Sequence, residues 1–506
     1  MSDPHGAAAD TLFTLWAEIE DLDTVCAVLE WDQQTYMPAK GQAARGGVLA
    51  TIAGLKHSKL TAPALSDALE EALEEAPAGS VLAAQVREAR RRVERALRIP
   101  AELAKRTAEA KSAGLNAWQA AREASDFSVF QPRLQTLVEL KREIAGLLAP
   151  LVASGKPFDA MLDEYERGSN EETVTPLLAA LRDELSPLVT AVAESGIEID
   201  ESAAGGRFEA DAQLAFGRHV AEHMGFDLDA GRIDAAPHPF CSGFHSSDVR
   251  LTWRWSDDDF RPALFGIMHE AGHGLYEQGL PDDWLRTPLG HAISLGVHES
   301  QSRLWENQVG RSRAFWEWAL PEFRRTFHGA NARTVDELYP ALHATRPSTI
   351  RVEADEVSYN LHIVVRYELE RALFSGELAV PDLPDAWNER YEAVLGLRPA
   401  DDAEGVLQDI HWSCGVFGYF PTYAVGNLLS AQLFESAREA LGDLDRMFAA
   451  GEFHPLLEWM RGNIHRHGRL YSPSELVERA TGRPLSTEPF MAHIRATIED
   501  VYGFTP

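Results

Sequence analysis

Cysteine is nearly absent from this chain. Its three cysteines, Cys26, Cys241 and Cys414, are scattered over 506 residues. They give no disulfide framework and none of the paired short spacings of a zinc–thiolate site, and they fit a reducing compartment. Long hydrophobic runs are missing too: nothing approaches the roughly eighteen apolar residues of a membrane span. No internal repeat, low-complexity tract or Pro/Gly/Ser-rich linker interrupts the chain. Basic residues are scarce, with 47 Lys plus Arg against 78 Asp plus Glu and a net charge of −31. Such a surface repels phosphate backbones and anionic membranes, so neither nucleic acid nor membrane is an expected partner. The opening residues, MSDPHGAAADTLFTLWAEIEDLD, have no basic stretch and turn acidic at once. A signal peptide is therefore not expected, and the expected location is cytoplasmic.

What the chain has is helical periodicity and enough apolar material, 45% of residues, for a large core. Between 10 and 30 the apolar positions Leu12, Phe13, Leu15, Trp16, Ile19, Leu22, Val25 and Val28 recur at spacings of three and four. Similar stripes run over 81–99, 134–151 and 173–192, and again from 259 onward. Ser472-Pro473-Ser474-Glu475 reads as a capping box with proline in the first turn. The pattern changes at 231–255, where Pro, Gly and Ser punctuate short runs and 249–255 alternates like a strand. A second candidate strand is 348–352. These features predict a mainly α fold with a minor β-element, as one domain over 1–506. A groove is expected between an N-terminal helical half, about 1–200, and a catalytic half, about 201–506.

One segment carries chemistry. His269-Glu270-Ala271-Gly272-His273 is an H-E-x-x-H motif inside a helical pattern. Residues four apart share a helix face, so His269 and His273 can aim two imidazoles at one zinc ion, with Glu270 flanking a water as base. Leu264, Phe265, Ile267 and Met268 mark the helix as buried, where two histidines and a glutamate are costly unless employed. Gly279 closes it. The extended motif with a third histidine is excluded, because Tyr276 and Gly279 stand where Gly and His would be required. A third ligand must then come from a second helix. After the turn-rich loop 279–290, the segment 291–307 reads as that helix and places Glu299 near its middle. Glu306 and Glu277 are the rivals.

These residues resemble the carboxypeptidase Taq family of metallocarboxypeptidases. The resemblance rests on His269-Glu-Ala-Gly-His-Gly-Leu-Tyr-Glu-Gln-Gly279 and Gly296-Val-His-Glu-Ser-Gln-Ser-Arg-Leu-Trp-Glu-Asn307. It extends to Trp31-Asp-Gln-Gln-Thr-Tyr-Met-Pro38, His238-Pro-Phe240, Asp248-Val-Arg-Leu-Thr252, Ile350-Arg-Val-Glu-Ala-Asp355 and 405–423. It implies a neurolysin-like, saddle-shaped helical body with a deep groove, working as a homodimer. It also implies broad-specificity carboxypeptidase activity with one zinc per chain, which cobalt can replace. Carried over by residue, His269, His273 and Glu299 are the ligands and Glu270 the general base and acid. Arg351 is the clamp for the substrate's terminal carboxylate. His411 and a tyrosine, Tyr423 first and Tyr419 second, support the tetrahedral intermediate.

The chemistry agrees with those roles. An exopeptidase must hold a terminal carboxylate, which a guanidinium does with two parallel hydrogen bonds. Arg351, Arg250 and Arg346 are the candidates. A neutral tyrosine or histidine can donate to an oxyanion. His298 and His238 are better placed beside the ligands than among them, since a fourth protein ligand would close the position a water needs. Asp248 is expected to orient a ligand or hold Arg250, and Cys414 to be a small buried hydrophobe. The alternatives are an oligopeptidase cutting internal bonds of short peptides and a catalytically dead helical peptide-binding scaffold.

Overall fold

The computed structural model describes residues 6–504; the first five residues of the acidic N-terminal stretch and the last two residues of the chain lie outside it. Helices dominate, and their ends follow local chemistry. The first runs Ala7–Thr35 and buries Leu12, Trp16 and Ile19. Val81–Arg98 begins where the Ser80 side chain accepts the Ala83 N–H, and Phe127–Leu148 and Glu171–Glu194 take up the other two stripes. The Ser472 capping box forms at the start of Pro473–Thr481. No helix among the described residues is long and apolar enough to cross a membrane.

The β-element is a three-stranded sheet: β1 (Gly231–Ala235), β2 (Cys241–His245) and β3 (Asp248–Trp253), in the order β1–β3–β2. β3 pairs parallel with β1, Ile233 opposite Leu251, and antiparallel with β2, Cys241 opposite Leu251. Val249, Leu251 and Trp253 alternate along β3 and are all buried. The strand expected at 348–352 does not form. That segment runs into a single 3₁₀ turn, Arg351–Glu353, whose first N–H is bonded by the Gln408 side chain rather than a neighbouring strand.

The helix carrying the H-E-x-x-H motif is Arg261–Gln278, ending at Gly279. The second helix starts later than 291, at Leu295, because Ser294 caps it by accepting the Val297 N–H. It spans Leu295–Arg303 and continues as a wider π-helical turn, Leu304–Val309. Two glycines permit the crossing. A Cβ on Gly272 would lie 2.6 Å from the Ser302 Cα, and one on Gly426, in helix Pro421–Leu441, 2.4 Å from the Glu299 Cγ. Apolar side chains gather in three clusters. One belongs to the first helices, from Ala8 to Val93. Another surrounds the sheet and motif helix. The third joins residues 103–192 to residues from 357 onward.

Candidate active site

The crossing of the two helices brings His269, His273 and Glu299 together, each offering a ligand atom within 4.8 Å of the others. The Glu299 Oε2 stands 3.6 Å from the His269 Nε2 and 3.4 Å from the His273 Nε2. Two ligands each about 2.1 Å from a tetrahedral ion stand roughly 3.4 Å apart, so the spacing suits a small divalent metal. The ring nitrogens are prepared for it. His269 donates its Nδ1–H to the Glu306 Oε2 at 2.9 Å. His273 meets the Nδ1 of His298 at 2.5 Å, and the Nε2 of His298 is 2.8 Å from the Glu277 Oε1. A carboxylate can only accept, so His298 donates through Nε2 and accepts at Nδ1; His273 must then donate through its own Nδ1. Both Nε2 lone pairs are left facing Glu299.

Glu306 and Glu277, the rivals for third ligand, thus hold the imidazoles. The π turn carries Glu306 to His269, while Glu277, on the histidine stripe of its own helix, reaches His298. Burial pushes the His273 imidazole down to about 3, so it is neutral at physiological pH. Against its own burial, Glu299 is held well below the usual carboxylate range by Arg303 and His269. Arg303 had no sequence signal beyond its position four residues past Glu299. It donates to the Glu299 Oε1 at 2.8 Å, reaches Glu306 at 3.3 Å and covers the Tyr359 ring.

Glu270 is 6% exposed, and its carboxylate has no hydrogen-bond partner among the described residues. Burial raises its pKa to about 7. An acid so placed can exchange a proton near neutrality.

A second group forms around Tyr359. Arg351, 7% exposed, donates its Nε–H and one terminal N–H to the Asp409 Oδ1 at 2.9 and 2.8 Å, and another to the Tyr359 hydroxyl at 2.9 Å. Asp409 also accepts from Arg366 at 2.6 Å. Against burial, Arg366 and Arg351 hold its carboxyl well below the ordinary range. Two guanidiniums and one carboxylate leave one net positive charge. Of the five N–H bonds of Arg351, the two left unbonded to protein lie on its terminal nitrogens. Its guanidinium lies 5.1 Å from the Tyr423 ring centroid. The Tyr423 hydroxyl is 3.3 Å from the His411 Nε2, and Tyr419 packs edge-on against Tyr423. Burial lowers His411 to about 4 and keeps Tyr423 protonated.

Other sequence candidates fall elsewhere. Arg250, on β3, is paired with Asp248 at 2.8 Å and lies over the Trp31 and Phe244 rings. Arg346 pairs with Glu201. His238 is exposed. Asp409 and Tyr359 were missed as site residues; Asp409 stands two residues before His411, and nothing local marks Tyr359.

Residues 11–498 match the family model described as carboxypeptidase Taq (M32) metallopeptidase. The chain is 43% identical to thermostable carboxypeptidase 1 of Thermus thermophilus, over 98% of this chain and 99% of that protein. It is 34% identical to carboxypeptidase 1 of Bacillus subtilis, over 97% and 98%. The crystal structure of the M32 carboxypeptidase from Deinococcus radiodurans superposes with a TM-score of 0.94 at 40% identity, covering 99% of this chain and 100% of that one. Motif, ligand geometry and these likenesses converge over nearly the whole chain, which belongs to the carboxypeptidase Taq (M32) family of metallopeptidases.

Proposed function

We propose that the chain removes C-terminal residues from peptides with broad specificity, using one zinc ion held by His269, His273 and Glu299, a site cobalt would also fill. Membership of the family makes it a metallocarboxypeptidase, a peptide-bond hydrolase. The observation carrying the residue assignment is the donor set: a Glu299 oxygen 3.6 and 3.4 Å from the two imidazole Nε2 atoms, all three within 4.8 Å of one another, with both imidazole Nδ1 positions already engaged. A bound zinc ion supplies Lewis acidity, polarising the scissile carbonyl and acidifying a water.

The protein groups do the rest. Glu270 takes the water's proton and returns it to the leaving amine. Tyr423 and His411 donate to the developing oxyanion, with Tyr419 packed beside them against the substrate. Arg351 offers its two unbonded N–H groups to the terminal carboxylate, and the net positive charge it shares with Arg366 and Asp409 favours that anion. Arg250 would contact substrate farther along the groove. One catalytic domain over 1–506 fits apolar clusters that join distant segments. The helices of the first 200 residues would form one wall and 201–506 the other, a division of walls and not of cores, since one cluster spans it. Three scattered free cysteines support a cytoplasmic location, and a homodimer follows from the family resemblance.

The test combines metal analysis with a paired peptide, free acid and C-terminal amide, before and after chelation. One zinc per chain and chelator-sensitive release of single residues from the free acid alone is the expected result. Equal cleavage of both peptides would remove the carboxylate clamp, and activity without metal would remove the ligand set.

A further inference from the structure

The hydrolytic site leaves one unusual cation unused. Lys141, on helix Phe127–Leu148, is partly buried, and no hydrogen bond is made by its ammonium and no carboxylate oxygen lies within 4.0 Å of it among the described residues. The other partly buried lysines are treated differently: Lys56 is paired with Asp23 and Lys59 with Glu18. An ammonium that gives up part of its hydration without gaining a partner loses free energy, although the Lys141 Nζ keeps some contact with solvent. Consistently, burial and the nearby Lys111 lower its pKa to about 8.

Lys141 lines a cleft of about 260 Å³ together with Lys111, Glu164 and Tyr165. Lys111, on helix Ala101–Ala124, is exposed at the mouth of the cleft and has no bonded partner among the described residues, and Glu164 is committed to Arg95. The Tyr165 hydroxyl is also without a hydrogen bond among the described residues, and burial keeps it protonated. The walls are apolar, formed by Ile99, Ile144, Leu148 and Met161. Two unpaired ammoniums and a phenol therefore line one hydrocarbon-walled space, in a chain of net charge −31.

We propose that this cleft is a binding site for a small carboxylate with an apolar body, its charge met by Lys141 and Lys111 and its chain lying among Ile99, Ile144, Leu148 and Met161. Few donors amid apolar walls suit one carboxylate with a hydrocarbon body better than a phosphate, whose additional charged oxygens would face hydrocarbon. The cleft stands one ring from the hydrolytic site. Tyr165 packs edge-on against Tyr419 at 5.1 Å between centroids, and the Lys111 stem lies against Gly415, which follows the turn His411–Cys414. The same carboxylate chemistry is available from a free aliphatic acid or from a glutamate side chain of a bound peptide.

The test uses the intact enzyme with hexanoate as probe and hexanol as its uncharged control. Hexanoate is expected to bind wild type about tenfold more tightly than hexanol, and Lys141→Met to erase that difference. Ligand-free Lys141→Met should be at least as heat-stable as wild type, having lost a partly buried charge that has no partner; the milder Lys111→Gln should weaken hexanoate binding partially. If the carboxylate comes from substrate instead, hexanoate will not discriminate. Lys141→Met will then raise KM for a glutamate-containing peptide several-fold over its glutamine counterpart, leaving kcat unchanged. Equal binding of hexanoate and hexanol by wild type, with no selective KM effect, overturns the proposal.

Discussion

The Nδ1 atoms of His273 and His298 stand 2.5 Å apart, and the far nitrogen of His298 is fixed by Glu277. His273, the second proposed ligand, is thus steered through an intervening imidazole, while His269 is steered directly by Glu306. Partners of this kind set the tautomer and hold the ring plane. His298→Ala frees the His273 ring to rotate and to move its proton to Nε2. Zinc affinity should fall about 10- to 100-fold, read by competition with a chromophoric chelator, and Glu277→Gln should weaken it less. Unchanged zinc retention in His298→Ala would show that packing alone holds His273.

Glu270→Gln separates binding from turnover. The change keeps shape and burial but removes the proposed base, and Glu270 bonds to no other described residue that it could disturb. Zinc content and KM should stay close to wild type while kcat falls by about two to four orders of magnitude. A variant retaining a tenth or more of wild-type kcat would mean that another group takes the proton.

Arg351 should discriminate by substrate. Arg351→Lys cannot bond Asp409, Tyr359 and a terminal carboxylate at once. The expected outcome is a fall in kcat/KM of about 10- to 100-fold on free-acid peptides, with cleavage of amides little changed. A parallel loss on both substrates would make the residue structural, a keeper of the Asp409 pair.

Glu370 gives a pH signature away from the proposed metal ligands. Fully buried, it accepts from the Trp412 indole N–H and the Gly418 N–H, both at 2.8 Å, beneath the segment carrying His411 and Tyr423. Burial raises its pKa to about 8 despite those bonds and nearby Arg366. The folded state therefore keeps a proton that the unfolded chain releases near its ordinary value of 4.5. Stability from this group is full below that value and falls as pH rises through 8, by up to about 1.4 kcal/mol per pH unit. Glu370→Gln removes the slope but offers an NH₂ where an acceptor is needed. It should be less stable than wild type at pH 5, with the gap narrowing by pH 8, as measured by urea unfolding. A constant gap would contradict a buried proton.

How much of this could be read from the residues depended on range. Helical stripes, the Ser472 cap and the pairing of His269 with His273 are local, since spacing along one helix fixes which side chains share a face. Glu299 was reachable as the acid near the middle of the next helix. That Glu306 bonds to the His269 imidazole and Glu277 to that of His298 was not, because it is decided by the π turn and by the angle at which two helices cross. Residues 348–352 have strand-like composition but no strand beside them, and a lone extended segment finds its hydrogen bonds elsewhere. Tyr359 and Asp409 join the site only because helix Tyr359–Ser375 and the 405–423 segment meet in space.

One close approach to the proposed metal ligands comes from a residue that has no side chain. Helix Pro421–Leu441 packs on Leu295–Arg303 through Gly426, and an added Cβ there would come within 2.4 Å of the Glu299 Cγ and 2.6 Å of its Cβ. Gly426 has ordinary helical backbone, so alanine costs nothing in conformation and would gain slightly in helix propensity. The whole penalty must come from displacing Glu299, its neighbour across the interface. Gly426→Ala should therefore fold and stay helical while losing zinc affinity and kcat together, and its activity should recover partly at high zinc concentration. If the helices merely separate, stability will fall by about 1–3 kcal/mol with metal binding intact, and Glu299 would owe its position to Arg303 instead.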